Sequence, residues 1–194
     1  AEQSGYITDL GYELYSRVLD EAVQELKEEE FAELFAGQDN TYKKLLKNDN
    51  IEIDYDQNAF FPQDYVPSET ERFAFYKRMY QTKTMQEIND LEKEAIDRFG
   101  KLPSEAENLF FILRLRVLAL GTGFMKLQVK TNTLTIELPD SKNAYYDEIF
   151  PSLLDFVSMF DNIQFIQQKN KLILIAKFNN SNEILEFLWK IKKS

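Results

Sequence analysis

The chain has 194 residues, 44% of them hydrophobic, and a net charge of −10, enough for one large domain with a sizeable core. It has neither Cys nor His, which excludes disulfides, thiolate chemistry, the usual zinc sites and the Ser-His-Asp or Cys-His machinery. The acidic balance disfavours a stand-alone binder of nucleic-acid phosphates, no G-x-x-x-x-G-K-[ST] phosphate loop occurs, and no apolar run approaches the roughly 18 residues of a membrane span.

In chain order, Asp9 to Phe35 is expected to form one long helix, because Leu10, Leu14, Val18, Ala22 and Leu26 recur at helical spacing. Its second half is acidic, with Glu28-Glu29-Glu30 too crowded and exposed for a metal site. Gly37 ends it, and a polar connection with a short turn at Tyr42 to Leu46 leads to Asn50. Ile51-Glu52-Ile53 alternates as a strand. Asn58 to Pro67 is expected to be extended, because a residue before proline avoids the helical region. Phe60, Phe61, Tyr65 and Val66 should pin this segment to the body.

Ser68 with Glu71 has the spacing of a capping box and should open a helix over Glu69 to Gln81, with Phe73, Tyr76 and Tyr80 on one side. The neighbouring Arg72, Lys77 and Arg78 invite a single-strand-binding reading, but nearby acids cancel their charge and core packing fits better. Thr84 with Glu87 repeats the signature for a helix ending near Phe99, with Gly100 as its C-cap. Pro103 should begin a third helix with Ala106, Leu109, Phe110, Leu113 and Val117 as its buried stripe. Gly121-Thr122-Gly123 is too short for a nucleotide fingerprint and reads as a helix stop.

The last third alternates. Phe124 to Lys130 and Thr133 to Leu138 form one hairpin around Thr131-Asn132, with Met125, Leu127 and Val129 facing one way. A helix from Lys142 to Phe160 follows. Ile163 to Gln168 and Lys171 to Phe178 form a second hairpin around Lys169-Asn170, before a final helix from Ser181 to Ile191. The fold class expected is α+β: a helical N-terminal half, then two ββα units forming an antiparallel sheet packed with helices.

On the helix after Thr84, Ile88, Leu91, Ala95 and Phe99 mark the buried side. Glu87, Asp90, Glu94 and Asp97 fall within about 80° of one another on another side, and Arg98 lies one turn after Glu94. A solvated acidic face and a docking face for a basic partner both fit. Catalysis does not, since exposed carboxylates have no desolvation to split their pKa values.

Three stretches carry a family resemblance. One is Ala59-Phe60-Phe61-Pro62-Gln63-Asp64-Tyr65-Val66-Pro67, followed by Arg72 and by Phe75-Tyr76-Lys77-Arg78. The second is Glu94-Ala95-Ile96-Asp97-Arg98-Phe99-Gly100-Lys101-Leu102-Pro103. The third is Ala1-Glu2-Gln3-Ser4-Gly5 with Gly11-Tyr12-Glu13-Leu14-Tyr15 and Leu19-Asp20-Glu21-Ala22-Val23. In order and spacing they resemble the C-terminal domain of the bacterial transcription-repair coupling factors and the junction where the DNA motor of that family ends.

The resemblance implies a linking region over 1–50 and a regulatory domain over 51–194. It implies packing on a UvrB-like module of the same chain, which hides the surface that recruits UvrA, with Glu94, Asp97 and Arg98 at the contact. It implies a parent that is an ATP- and Mg-dependent DNA translocase acting on stalled RNA polymerase in the cytoplasm, and no cofactor, metal or catalysis in this part. A direct nucleic-acid-binding module and an unrelated adaptor are the alternatives. Salt-dependent DNA binding would distinguish the first.

Overall fold

The computed structural model of the chain describes residues 51–193, apart from the side chains of Glu69, Phe73 and Tyr80. The expected helix from Asp9 to Phe35, its Gly37 stop, the turn at Tyr42 to Leu46 and the motor-junction residues lie outside the described residues. Two compact units divide what is described. One holds residues 57–113, the other residues 51–56 and 114–193.

Three helices build the first unit. α1 spans Glu69–Gln81 and α2 spans Met85–Phe99. α3 spans Ser104–Ala119, and its residues as far as Leu113 belong to this unit. The caps are those the sequence announces. The Ser68 hydroxyl accepts the Glu71 N–H at 3.3 Å. Glu71 turns its carboxylate to Arg98 instead of completing the expected box. Thr84 and Glu87 do form the full reciprocal box. Gly100 ends α2 at φ +89°, a conformation that a Cβ disfavours. Pro103 stands one place earlier than expected: its carbonyl accepts the Glu107 N–H, so it precedes the first turn of α3.

The segment before α1 does not run straight. Pro62 accepts the N–H groups of Tyr65 and Val66 at 3.1 and 2.9 Å, so the chain turns there. The turn lets Phe61 and Val66, five positions apart, both bury. The Phe61 ring then meets Phe75, Tyr76 and Phe110 at centroid distances of 5.5, 5.7 and 6.1 Å. Phe60 is only half-buried. α3 is buried well beyond its expected stripe, since Phe111, Ile112, Leu115 and Leu118 are also inside.

The second unit is a five-stranded sheet in the order β1-β2-β3-β5-β4. The strands are β1 (Glu52–Tyr55), β2 (Lys126–Lys130), β3 (Thr133–Asp140), β4 (Ile163–Gln168) and β5 (Lys171–Lys177). Both predicted hairpins are present, and Thr131 and Asn132 take φ of 44° and 61°, the mirror-image turn that matches strand twist. The sheet is mixed, not wholly antiparallel, because β1 pairs with β2 in parallel. Register puts Ile53, Leu127, Ile136, Leu174 and Phe165 in one row of the inner face, and Tyr55, Val129, Leu134, Ala176 and Ile163 in the next. Met125 precedes β2 and is exposed, while Phe124 is buried in its place.

The single helix expected from Lys142 to Phe160 is two short ones, α4 (Tyr145–Glu148) and α5 (Phe150–Val157). Pro151 has no N–H to continue the ladder, so the helix restarts around it. α6 spans Ser181–Lys193. Its Phe187 meets Phe156, Phe160 and Phe178 within 5.8 Å, and Phe150 of α5 meets Phe165 of β4 at the same distance. Lys192 donates to the Val117 carbonyl at 2.6 Å, and burial lowers its pKa.

Candidate docking face on the first two helices

α2 buries Ile88, Leu91 and Ala95, so its acids point elsewhere, as helical spacing requires. Three of the four are held within the chain. Glu87 accepts the Lys83 and Thr84 N–H groups at 2.8 and 3.0 Å, which keeps its carboxyl below the usual range. Asp90 accepts from the Gln86 amide at 2.9 Å.

Glu94 is gripped from two helices. Arg78 of α1 donates through both terminal nitrogens, Nη1 to Oε1 at 2.9 Å and Nη2 to Oε2 at 2.6 Å. Arg98 adds a bond to Oε1 at 3.2 Å. These bonds, Arg78's first, hold the Glu94 carboxyl below its ordinary pKa, and Glu94 in turn raises that of Arg78. A carboxylate has about four lone-pair sites, so one remains on Oε2.

Arg98 also pairs with Glu71 of α1. Its guanidinium lies 4.9 Å from the Phe99 ring centroid and 5.5 Å from that of Phe75, and Arg78 is also 5.5 Å from Phe75. Both cations rest on aromatic rings, Phe75 buried and Phe99 half-buried, where planar guanidinium stacking favours Arg over Lys.

Asp97 is exposed, and its carboxylate makes no hydrogen bond or ion pair among the described residues. With Lys93, Glu94 and Ile96 it lines a shallow depression, and Ile96 is 45% exposed there. Glu94, Asp97 and Arg98 therefore do lie together, but in different states. Two are fixed by internal pairs, and one is free.

The pattern of α2 alone could not reveal the role of Arg78 or Glu71. The available signal was their seven-residue separation on α1, which places them on one stripe two turns apart. Arg72, of the aromatic-basic stretch, donates to the carbonyls of Val66 and Pro67 at 2.5 and 3.2 Å. Phe75 and Tyr76 of the same stretch are buried, which fits core packing. Among the described residues no group of His, Cys, Asp or Glu could hold a metal ion, and no helix is long and apolar enough to cross a membrane.

A three-helix unit carrying this face, followed by a mixed five-stranded sheet, defines an α+β domain. A crystal structure of the C-terminal domain of transcription-repair coupling factor shares the fold, with a TM-score of 0.61 and 22% identity over 74% of this chain and 90% of that one. Residues 55–149 match the TRCF domain model. The chain is 30% identical over 193 residues to the transcription-repair-coupling factor of Rickettsia typhi. It is 33% identical over 143 residues to that of Escherichia coli and 34% over 147 to that of Bacillus subtilis. This chain belongs to the transcription-repair coupling factor family. It covers 98%, 74% and 76% of its own length in those matches and spans only 16%, 12% and 11% of those proteins.

Proposed function

We propose that this chain is the C-terminal regulatory domain of a transcription-repair coupling factor, with residues 51–194 as the domain and 1–50 as its link to a motor. It packs on a UvrB-like module of the same parent and masks the surface that recruits UvrA. Glu94, Asp97 and Arg98 form the centre of the contact. The parent is an ATP-dependent DNA translocase that releases stalled RNA polymerase in the cytoplasm and recruits excision repair. ATP and Mg belong to that motor. The chain itself neither hydrolyses ATP nor holds duplex DNA tightly at about 150 mM salt, where screening reaches about 8 Å.

The observation that carries this reading is the free carboxylate of Asp97 beside the immobilised Glu94 and Arg98, within the matched residues. A guanidinium on a partner surface could pair with Asp97 and add a bond at Glu94 Oε2. Neither acid would need to reorganise.

The test is UvrA binding by the full-length parent. Glu94→Ala, Asp97→Ala and Arg98→Ala together should raise it. Glu94 and Arg98 also fasten α1 to α2, so the triple variant loses some stability. Asp97→Ala alone breaks no internal bond and separates docking from folding. The intramolecular contact has a high effective concentration, so the single change opens it only partly. Unchanged UvrA binding in both variants, each still folded at the assay temperature, sinks the reading.

A further inference from the structure

The sheet has two edges, β1 and β4, and they are built differently. β1 carries Glu52 and Asp54 on the outer face, paired with Lys126 and Lys130 of β2. Charges of this kind guard a sheet edge against further pairing. β4 reads Ile163-Gln164-Phe165-Ile166-Gln167-Gln168. It has no charge and no proline, and its six register pairs with β5 run without a bulge. Among the described residues no strand pairs with its other side.

On the outer face β4 presents Gln164, Ile166 and Gln168, all exposed, with Ile166 at 40%. Ile173 of β5 stands directly beside Ile166. That face is symmetric about Ile166.

We propose that the outer edge of β4 is a self-association site, where a second copy of this chain pairs antiparallel with Ile166 opposite Ile166. This alignment puts Gln164 opposite Gln168 of the second copy, twice, so that their amides can bond each other. It creates a row of four isoleucines, Ile173 and Ile166 from each copy. It also brings Asp161 towards the turn that carries Lys169 of the second copy. A parallel pairing would set Asp161 beside Asp161 and break the symmetry of a two-fold interface. The neutral edge matters because two chains of net charge −10 would otherwise repel at close approach.

The experiment uses the 194-residue chain in analytical ultracentrifugation across a concentration series. A monomer–dimer equilibrium is expected. Ile166→Lys, at an exposed position, should leave the melt unchanged and raise the dimer dissociation constant at least about tenfold. The chain has no native thiol, so Ile166→Cys should cross-link under mild oxidation, since directly opposed antiparallel residues lie within disulfide reach. Gln164→Cys alone should not, because it faces Gln168. A monomer at every concentration overturns the proposal. So does a dimer indifferent to Ile166→Lys, equal cross-linking through Gln164→Cys, or a monomer that takes an unrelated extended peptide on the same edge.

Discussion

Arg78 on α1 holds Glu94 on α2 by two parallel hydrogen bonds of 2.9 and 2.6 Å, across sixteen residues of chain. The pair is partly exposed at both ends, so its contribution is modest. Its geometry is the better argument for its role, because a forked contact fixes orientation as well as distance.

Glu94→Gln should cost about 0.5–1 kcal/mol at neutral pH, the upper end for exposed pairs. The folded-state pKa of Glu94 is depressed below 4.5. The stabilisation is therefore present above that ordinary value and fades as pH falls through the lower folded value. The difference in urea midpoint between wild type and Glu94→Gln should be larger at pH 7 than at pH 3. An equal difference at both would assign the effect to packing.

Phe61→Ala should cost about 3–5 kcal/mol, as for other buried aromatics. Phe61 is 3% exposed and touches four rings. A denaturant titration with an unchanged midpoint would show that the proline-bracketed segment is not anchored there.

Tyr76→Phe keeps the ring but removes the hydroxyl that accepts the Phe61 N–H at 2.7 Å in a buried setting. An orphaned buried N–H costs about 1–3 kcal/mol. The expected signature is a lower midpoint together with faster amide exchange at Phe61. Exchange unaltered at that amide would mean another acceptor replaces the hydroxyl.

Two glycines near the end of α3 should respond differently to Ala. Gly121 and Gly123 have φ of 80° and 78°, so both substitutions incur backbone strain of about 1–2 kcal/mol. A Cβ on Gly121 meets nothing within 4 Å, whereas on Gly123 it falls 2.7 Å from the Tyr145 ring. Tyr145 is buried and its hydroxyl has no hydrogen-bond partner among the described residues, with burial raising its pKa. Gly123→Ala should lower the melting temperature clearly more than Gly121→Ala, and equal shifts would contradict the close packing on Tyr145.

What the sequence disclosed was mostly local. Ser68, Thr84 and Gly100 announce their caps because capping chemistry acts within four residues. The Thr131-Asn132 turn is equally local. The break at Ile149 was legible in Pro151 but lost to the helical spacing on either side. The parallel pairing of β1 was hidden, because nothing in Glu52–Tyr55 names a partner so distant in the chain. The candidate docking face was half visible. Spacing on α2 grouped Glu94, Asp97 and Arg98, but only the second helix explains why Glu94 and Arg98 are immobile and Asp97 is not.

That distant pairing has a consequence for the nascent chain. Glu52 and Lys126, neighbours in the sheet, are separated by 74 residues. At about 5–20 residues per second of synthesis, β1 leaves the ribosome roughly 4–15 s before its partner strand exists. During that interval the helical unit of residues 57–113 can form, while β1 waits without a ladder. The carboxylates of Glu52 and Asp54, which later meet lysines across the strand, then serve as a solubilising guard on an unpaired segment.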